Sequence, residues 1–290
     1  MKISVGPTFR TPTDSWPRLR AMAERADAGP YHSFATLDRL AYDLYEPMAL
    51  LAAVAAVTTR LRLMTAVLVS PLRNAGILAK QAATVDAISG GRLTLGLAVG
   101  SREDDSLVAP AGFHDRGRRF NAQLDEMARI WAGERLEGLT YAVGPLPAQT
   151  GGPELLLGGT ADRAIQRVAK YGAGYVMGGR ANDPEWVRGI MERVNAAWAA
   201  QRRPGKPRFV ATLPCGFGPD AQRQIDDGIA HYYGGRSTRS SDPGTRPNPA
   251  SAEAVRETIA MHEELGTDEI VFRPATLEPE QLDLLTDAIS

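Results

Sequence analysis

Apolar and polar positions along this chain follow two periods that take turns. Short runs such as residues 61–69 and 93–99 are continuously apolar or alternate every second residue, which is strand behaviour. Between them lie longer amphipathic stretches, such as residues 74–89 and 184–200, whose apolar positions recur at helical spacing. The pattern predicts strands at residues 2–7, 32–37, 61–69, 93–99, 154–157, 174–177, 208–214 and 269–273. It predicts helices at residues 15–28, 46–58, 74–89, 118–132, 161–171, 184–200, 252–265 and 279–289. Asp14, Asp183 and Ser251 stand where helices should start, and Gly29, Gly90, Gly133, Gly172 and Gly266 where they should stop. Eight strands alternating with eight helices predict an α/β protein, a (β/α)8 TIM barrel occupying residues 1–290 as one domain.

Two segments break the rhythm. Residues 133–153 form a Gly/Pro-rich connection before the fifth strand. Residues 216–250 insert a short helix at 220–233 and a polar Gly/Ser/Pro tail after the seventh strand. By composition that tail reads as a surface loop. By position it reads as a mobile lid, because loops after barrel strands gather at the catalytic face.

Strand four sorts its residues sharply. Leu93, Leu95, Leu97 and Val99 point one way; Thr94, Gly96, Ala98 and Gly100 point the other. Helices packed outside a barrel want bulk, so the small set should face the bore and leave room at its mouth, unless Met64 or Phe272 fills the gap. Two later strands run into glycine pairs, Gly158-Gly159-Thr160 and Gly178-Gly179-Arg180, each just ahead of a helix. Glycine lets backbone approach a phosphate closely, and a helix N-terminus offers free N–H groups. Thr160 adds a hydroxyl and Arg180 a positive charge. Neither turn matches a dinucleotide fingerprint or a Walker loop.

Composition narrows the partners. The 290 residues carry a formal net charge of −1, which offers nothing to nucleic acid or an anionic membrane. The longest apolar run, residues 48–57, is too short to span a bilayer, and the amino terminus lacks the apolar core of a signal peptide. A single cysteine, Cys215, excludes an intrachain disulfide and reads as core rather than nucleophile. A cytoplasmic protein is expected. His32, His114, His231 and His262 lack metal-ligand spacing, so no metal is expected. His114, in the loop after strand four, is a candidate proton donor or a solvated loop residue. The aromatics of His231-Tyr232-Tyr233 either cap a ligand or pack. Arg116, Arg118 and Arg119 open a helix as an exposed basic face, or serve a polyanionic coenzyme tail together with Arg102.

The run TAVLVSPLRNAGILAKQAATVDAISGGRLTLGLAVGSREDD resembles the central signature of the bacterial luciferase-like monooxygenase family. LLLGGTADRAIQRVAKYGAGYVMGG resembles its later motif, and the similarity extends over nearly the whole chain. The resemblance implies a TIM barrel, a homodimer, and reduced FMN or coenzyme F-420 bound over the barrel mouth. It also implies a non-prolyl cis peptide at Ala66–Val67 within Thr65-Ala66-Val67, behind the isoalloxazine. Gly100, Ser101 and Arg102 would flank the cofactor's polyol chain; Gly158, Gly159, Thr160, Gly178 and Gly179 would hold its phosphate. Many members carry Asp-His at the end of strand two, where this chain has Asp38-Arg39. Arg39 is then open to three roles: holding an anionic ligand, pairing with Asp38 or Asp43, or standing as a surface ion pair. Asp38, Arg39 and His114 are the catalytic candidates. The expected activity is a monooxygenase using reduced FMN, supplied by a separate flavin reductase, and molecular oxygen on a small organic substrate. The alternatives are a reductase or dehydrogenase using coenzyme F-420, or a non-catalytic flavin-binding relative.

Overall fold

A computed structural model describes residues 1–109, 111–234 and 246–290. Its strands are β1 (Lys2–Val5), β2 (Ser33–Thr36), β3 (Arg62–Val69), β4 (Leu93–Ala98), β5 (Glu154–Leu157), β6 (Gly174–Met177), β7 (Arg208–Cys215) and β8 (Glu269–Pro274). They pair in parallel in chain order, and β8 returns to β1 to close the ring. The helices are α1 (Trp16–Ala28), α2 (Pro47–Val57), α3 (Ala75–Ile88), α4 (Asp104–Leu107), α5 (Arg116–Trp131), α6 (Asp162–Tyr171), α7 (Pro184–Ala200), α8 (Ala221–Tyr232), α9 (Ala252–Leu265) and α10 (Pro279–Ile289). The fold is the expected (β/α)8 barrel, with α8 inserted after β7.

Local signals account for most boundaries. Asp183 and Ser251 cap α7 and α9, accepting from the backbone N–H of Trp186 and Ala254. Asp14 caps nothing; it lies within a short 3-10 turn that precedes α1. α5 starts at Arg116, two residues before the expected 118, because Asp115 takes the cap position and its carbonyl accepts from Arg118 and Arg119. The four-residue α4 was not expected, since one helical turn has no readable period.

The bore is layered. At the N-terminal end Arg208 bridges Glu154 and Glu269, and Arg62 donates to Thr94 Oγ1 at 2.9 Å. Above this polar plug Ala35, Met64, Leu156, Val210 and Val271 form an apolar disc. Leu93, Leu95 and Leu97 face outward among the helices. Each such buried leucine contributes about 1.5–3 kcal/mol. Met64 sits low in the bore and Phe272 packs outward, so neither closes the mouth.

One irregularity shapes that mouth. The β3–β4 register shifts between Thr65 and Leu68, and the Ala66–Val67 peptide inside the shift is cis. Gly96 is required opposite it, because a Cβ there would lie 2.0 Å from the Thr65 carbonyl oxygen.

Candidate functional site

At the C-terminal ends of the strands the barrel opens into a cavity of about 500 Å³. Ala66 and Val67 of β3, Ala98 of β4 and Gly158 after β5 form one wall. A Cβ built on Gly158 would stand 3.7 Å from Val67 Cγ1 and 3.8 Å from Ala98 Cβ. The three positions therefore face one void, and the inward parity read from strand four is what keeps it open.

Two glycine turns border the cavity. Gly159 has φ +121° and Gly179 φ +68°, both in the region that side chains avoid. Tyr175 donates its hydroxyl to the Gly159 carbonyl at 3.1 Å and so tethers the first turn. The backbone then enters α6 at Ala161, where no side chain caps the helix. Its first N–H groups remain available to an anion.

Of the cofactor-binding candidates, Ala66, Val67, Gly100, Ser101, Arg102, Gly158, Gly159, Thr160, Gly178 and Gly179 line the cavity. Two do not. Thr65 is buried in the wall with its hydroxyl on the Gly96 carbonyl, and Arg180 turns away to pair with Asp183. Arg102 lines the cavity yet is engaged, with Asp104 at 2.6 Å and the Tyr233 carbonyl at 2.5 Å.

The catalytic candidates fare differently. Asp38 borders the cavity, but its carboxylate accepts from the Val69 N–H at 2.8 Å and from both terminal nitrogens of Arg73, at 2.6 and 3.0 Å. Burial pushes this carboxyl upward while Arg73 pulls the other way. Its carboxylate oxygens are thus committed to Arg73 and the β3 backbone. Arg39 pairs with neither Asp38 nor Asp43, and it is buried rather than a surface ion pair. Its Nε donates to Asp105 at 2.7 Å, Nη2 to Asp104 at 3.0 Å and Nη1 to the Tyr232 carbonyl at 2.6 Å. His114 is exposed, outside the cavity, with its ring edge-on to Phe113. The neighbouring arginines scatter too: Arg116 lies over the Phe113 ring, Arg119 pairs with Asp115, and Arg118 is exposed.

These contacts make a latch. Arg39 and Arg102 hold Asp104 and Asp105 while donating to the last carbonyls of α8, where a helix welcomes positive charge. Tyr232 packs on Phe9 and Tyr42, and Tyr42 meets His231 Nδ1 at 2.6 Å. Tyr232 and Tyr233 thereby border the cavity, while His231 stays exposed. Residues 235–245 of the expected lid lie outside the described residues.

Sequence reasoning missed one wall residue of consequence. Arg273 ends β8 on the inward parity of Glu269 and Val271, is 2 % exposed, and lines the cavity. Burial lowers it to about 10, with Tyr232 and Tyr233 pulling the other way. A charge at inward parity on the C-terminal end of a barrel strand was the available signal.

Elsewhere, Cys215 is buried, and burial raises its thiol. No helix among the described residues is long and apolar enough to cross a membrane. Among those residues no cluster of three or more His, Cys, Asp or Glu forms a metal site.

Comparison with known proteins bears on this geometry. The family model of luciferase-like monooxygenases matches residues 2–281. The chain belongs to the luciferase-like monooxygenase family. An uncharacterized protein of Mycobacterium tuberculosis is 27 % identical to it over 255 residues, covering 78 % of this chain and 88 % of the relative. Monooxygenase RslO1 from Streptomyces bottropensis superposes with TM-score 0.80 at 20 % identity, over 100 % of this chain and 98 % of that one. The oxygenating constituent of 3,6-diketocamphane monooxygenase from Pseudomonas putida, solved with FMN, gives TM-score 0.76 at 15 % identity over 100 % and 96 %. A coenzyme F-420-dependent secondary alcohol dehydrogenase gives 0.75 at 14 % identity over 99 % and 98 %. These structures share the fold of this family member, which is an oxidoreductase by family.

Proposed function

We propose that this protein is a flavin-dependent monooxygenase that takes up reduced FMN and uses molecular oxygen to oxygenate a small organic substrate. The observation that carries the reading is the open mouth of about 500 Å³, walled by Ala66, Val67, Ala98 and Gly158 and bordered by two glycine turns. A flat ring system suits the wall of Ala66, Val67, Ala98 and Gly158, where no side chain exceeds an isopropyl group. A phosphate suits the turns at Gly158-Gly159-Thr160 and Gly178-Gly179, where backbone N–H groups and the α6 N-terminus supply donors without a fixed charge.

The residues present fit FMN. The Ala66–Val67 wall would support the ring, Gly100 and Ser101 would flank the polyol chain, and the glycine turns would take the phosphate. Reduced FMN supplies the electrons that activate oxygen. The chain's own contribution is shape and exclusion of water. Tyr232 and Tyr233, latched through Arg39 and Arg102, cover the mouth beside Phe9, and the apolar disc below seals the bore. Asp38 and Arg73 hold the end of β3 in place rather than moving protons. A separate reductase supplies the flavin. The exposed Ile77 and Ile88 on α3 fit a homodimer contact.

Anaerobic titration of the purified protein with reduced FMN and with coenzyme F-420 tests the reading. Micromolar binding of reduced FMN is expected, followed by oxygen consumption coupled to an oxygenated product. Tighter binding of coenzyme F-420 would replace it with hydride transfer. Binding of neither would remove both enzymatic readings.

A further inference from the structure

The cavity floor holds a charge that the proposed chemistry does not use. Arg273 donates from Nη1 to the Ala35 carbonyl at 2.9 Å and to the Pro7 carbonyl at 3.3 Å, and from Nη2 to the Ala66 carbonyl at 3.4 Å. Its buried Nε has no partner among the described residues. Among the described residues it forms no ion pair with a carboxylate, and the Tyr232 and Tyr233 hydroxyls are the ionisable groups that bear on it. Arg39, Arg73 and Arg208 behave otherwise, each meeting carboxylates. A buried guanidinium with a spare N–H and no counter-charge is costly, and a bound anion would relieve that cost.

The chain also makes room for this group. A Cβ on Gly6 would lie 2.0 Å from the Ala35 carbonyl oxygen and 2.6 Å from Arg273 Nη1, so the glycine that this backbone approach requires also leaves the guanidinium its place on the floor. Through the Ala66 carbonyl, Arg273 touches the cis-peptide wall. In the ring of strands the glycine turns after β5 and β6 stand three and two strands from β8, at the same mouth. A ligand whose phosphate rested on those turns would bring its other end toward Arg273.

We propose that Arg273 receives an oxyanion of the bound ligand at the cavity floor. Two ligands carry that chemistry: a reduced flavin ring, whose negative charge spreads over a ring nitrogen and the adjacent carbonyl oxygen, and a small substrate bearing a carboxylate. Either presents a planar acceptor edge to the N–H edge of the guanidinium. The flavin source rests on the function proposed above; the carboxylate source does not.

Two variants test this. Arg273→Gln keeps donors for the carbonyls and loses the charge, and Arg273→Lys keeps the charge. For each, and for the unaltered protein, affinities are measured for oxidised FMN, for reduced FMN under anaerobic conditions, and for benzoate. The unaltered protein should bind reduced FMN more tightly than oxidised FMN. Arg273→Gln should lose that preference by about tenfold or more, as expected for a lost charge-assisted bond, while oxidised FMN binds as before. Arg273→Lys should keep most of it. If the FMN ratio holds but Arg273→Gln no longer binds benzoate, the anion is the substrate's and the assignment stands. Equal affinities for all three probes in all three proteins would overturn it. If no flavin binds the unaltered protein, the proposed function falls and benzoate binding alone decides the role of Arg273. Should Arg273→Gln not fold, an unaltered protein that neither prefers reduced FMN nor binds benzoate overturns the assignment.

Discussion

Gly158 is the residue on which the open mouth most directly depends. Its Cβ position meets Val67 and Ala98 at ordinary contact distances and the Val176 carbonyl oxygen at 3.4 Å, so a side chain there is accommodated locally and projects into the void. Gly158→Leu should therefore fold with little change in melting temperature yet lose flavin affinity by about tenfold or more, the scale of overpacking a fitted cavity. Flavin titration with a circular-dichroism melt reads both, and undiminished affinity would place the ligand elsewhere. Gly159 is a poorer probe, because φ +121° and a Cβ only 2.9 Å from Ala164 Cβ would confound binding with strain. The alternation of β4 disclosed the small inward set in advance. Arg39 was legible only as a charge near the strand-two end. Its partners, Asp105 and the Tyr232 carbonyl, lie 66 and 193 positions away.

The cover of the mouth is a property of elements rather than of single side chains. α8 is tied by its C-terminal carbonyls to two arginines that α4 neutralises, and Asp105 Oδ1 also accepts from Leu40 and Ala41 N–H. Asp105→Asn should leave Arg39 under-compensated and cost about 1–3 kcal/mol locally. Faster amide exchange is expected in Ala221–Tyr232, with exchange in the barrel strands unchanged. Unaltered exchange would show that Tyr232 packing on Phe9 and Tyr42 holds the helix unaided. The inserted helix was legible from its period. The latch was not, because α4 is a single turn and its acidic residues read in sequence as ordinary solvated charges.

Acid stability belongs to the whole molecule. His262 of α9 is fully buried, with Nδ1 against Thr267 Oγ1 at 2.8 Å and Nε2 against the Ala181 carbonyl at 2.9 Å. Burial lowers it to about 4 from 6.5, and the Ala181 hydrogen bond pulls weakly upward. The unfolded chain binds a proton there before the folded one does. Its contribution is thus complete above pH 6.5 and disappears as the pH falls toward about 4, roughly 3 kcal/mol in all. His32, also lowered by burial, acts in the same direction. Urea unfolding across that interval should show stability falling with acid, and His262→Gln should flatten the slope. An equal slope in that variant would assign the effect to other groups.

Strand and helix order, the barrel class, the inward small residues and the glycine turns were all readable from the chain, because each follows from periodicity or turn chemistry within a dozen or so neighbouring residues. Which charges meet was not readable. Asp38 with Arg73, Arg39 with Asp105, and the solitary Arg273 beneath Ala66 depend on barrel closure, which juxtaposes segments 35, 66 and 207 positions apart. Charge pairing is chosen by distance in space and by the cost of burial, and neither quantity exists until the ring of strands has closed.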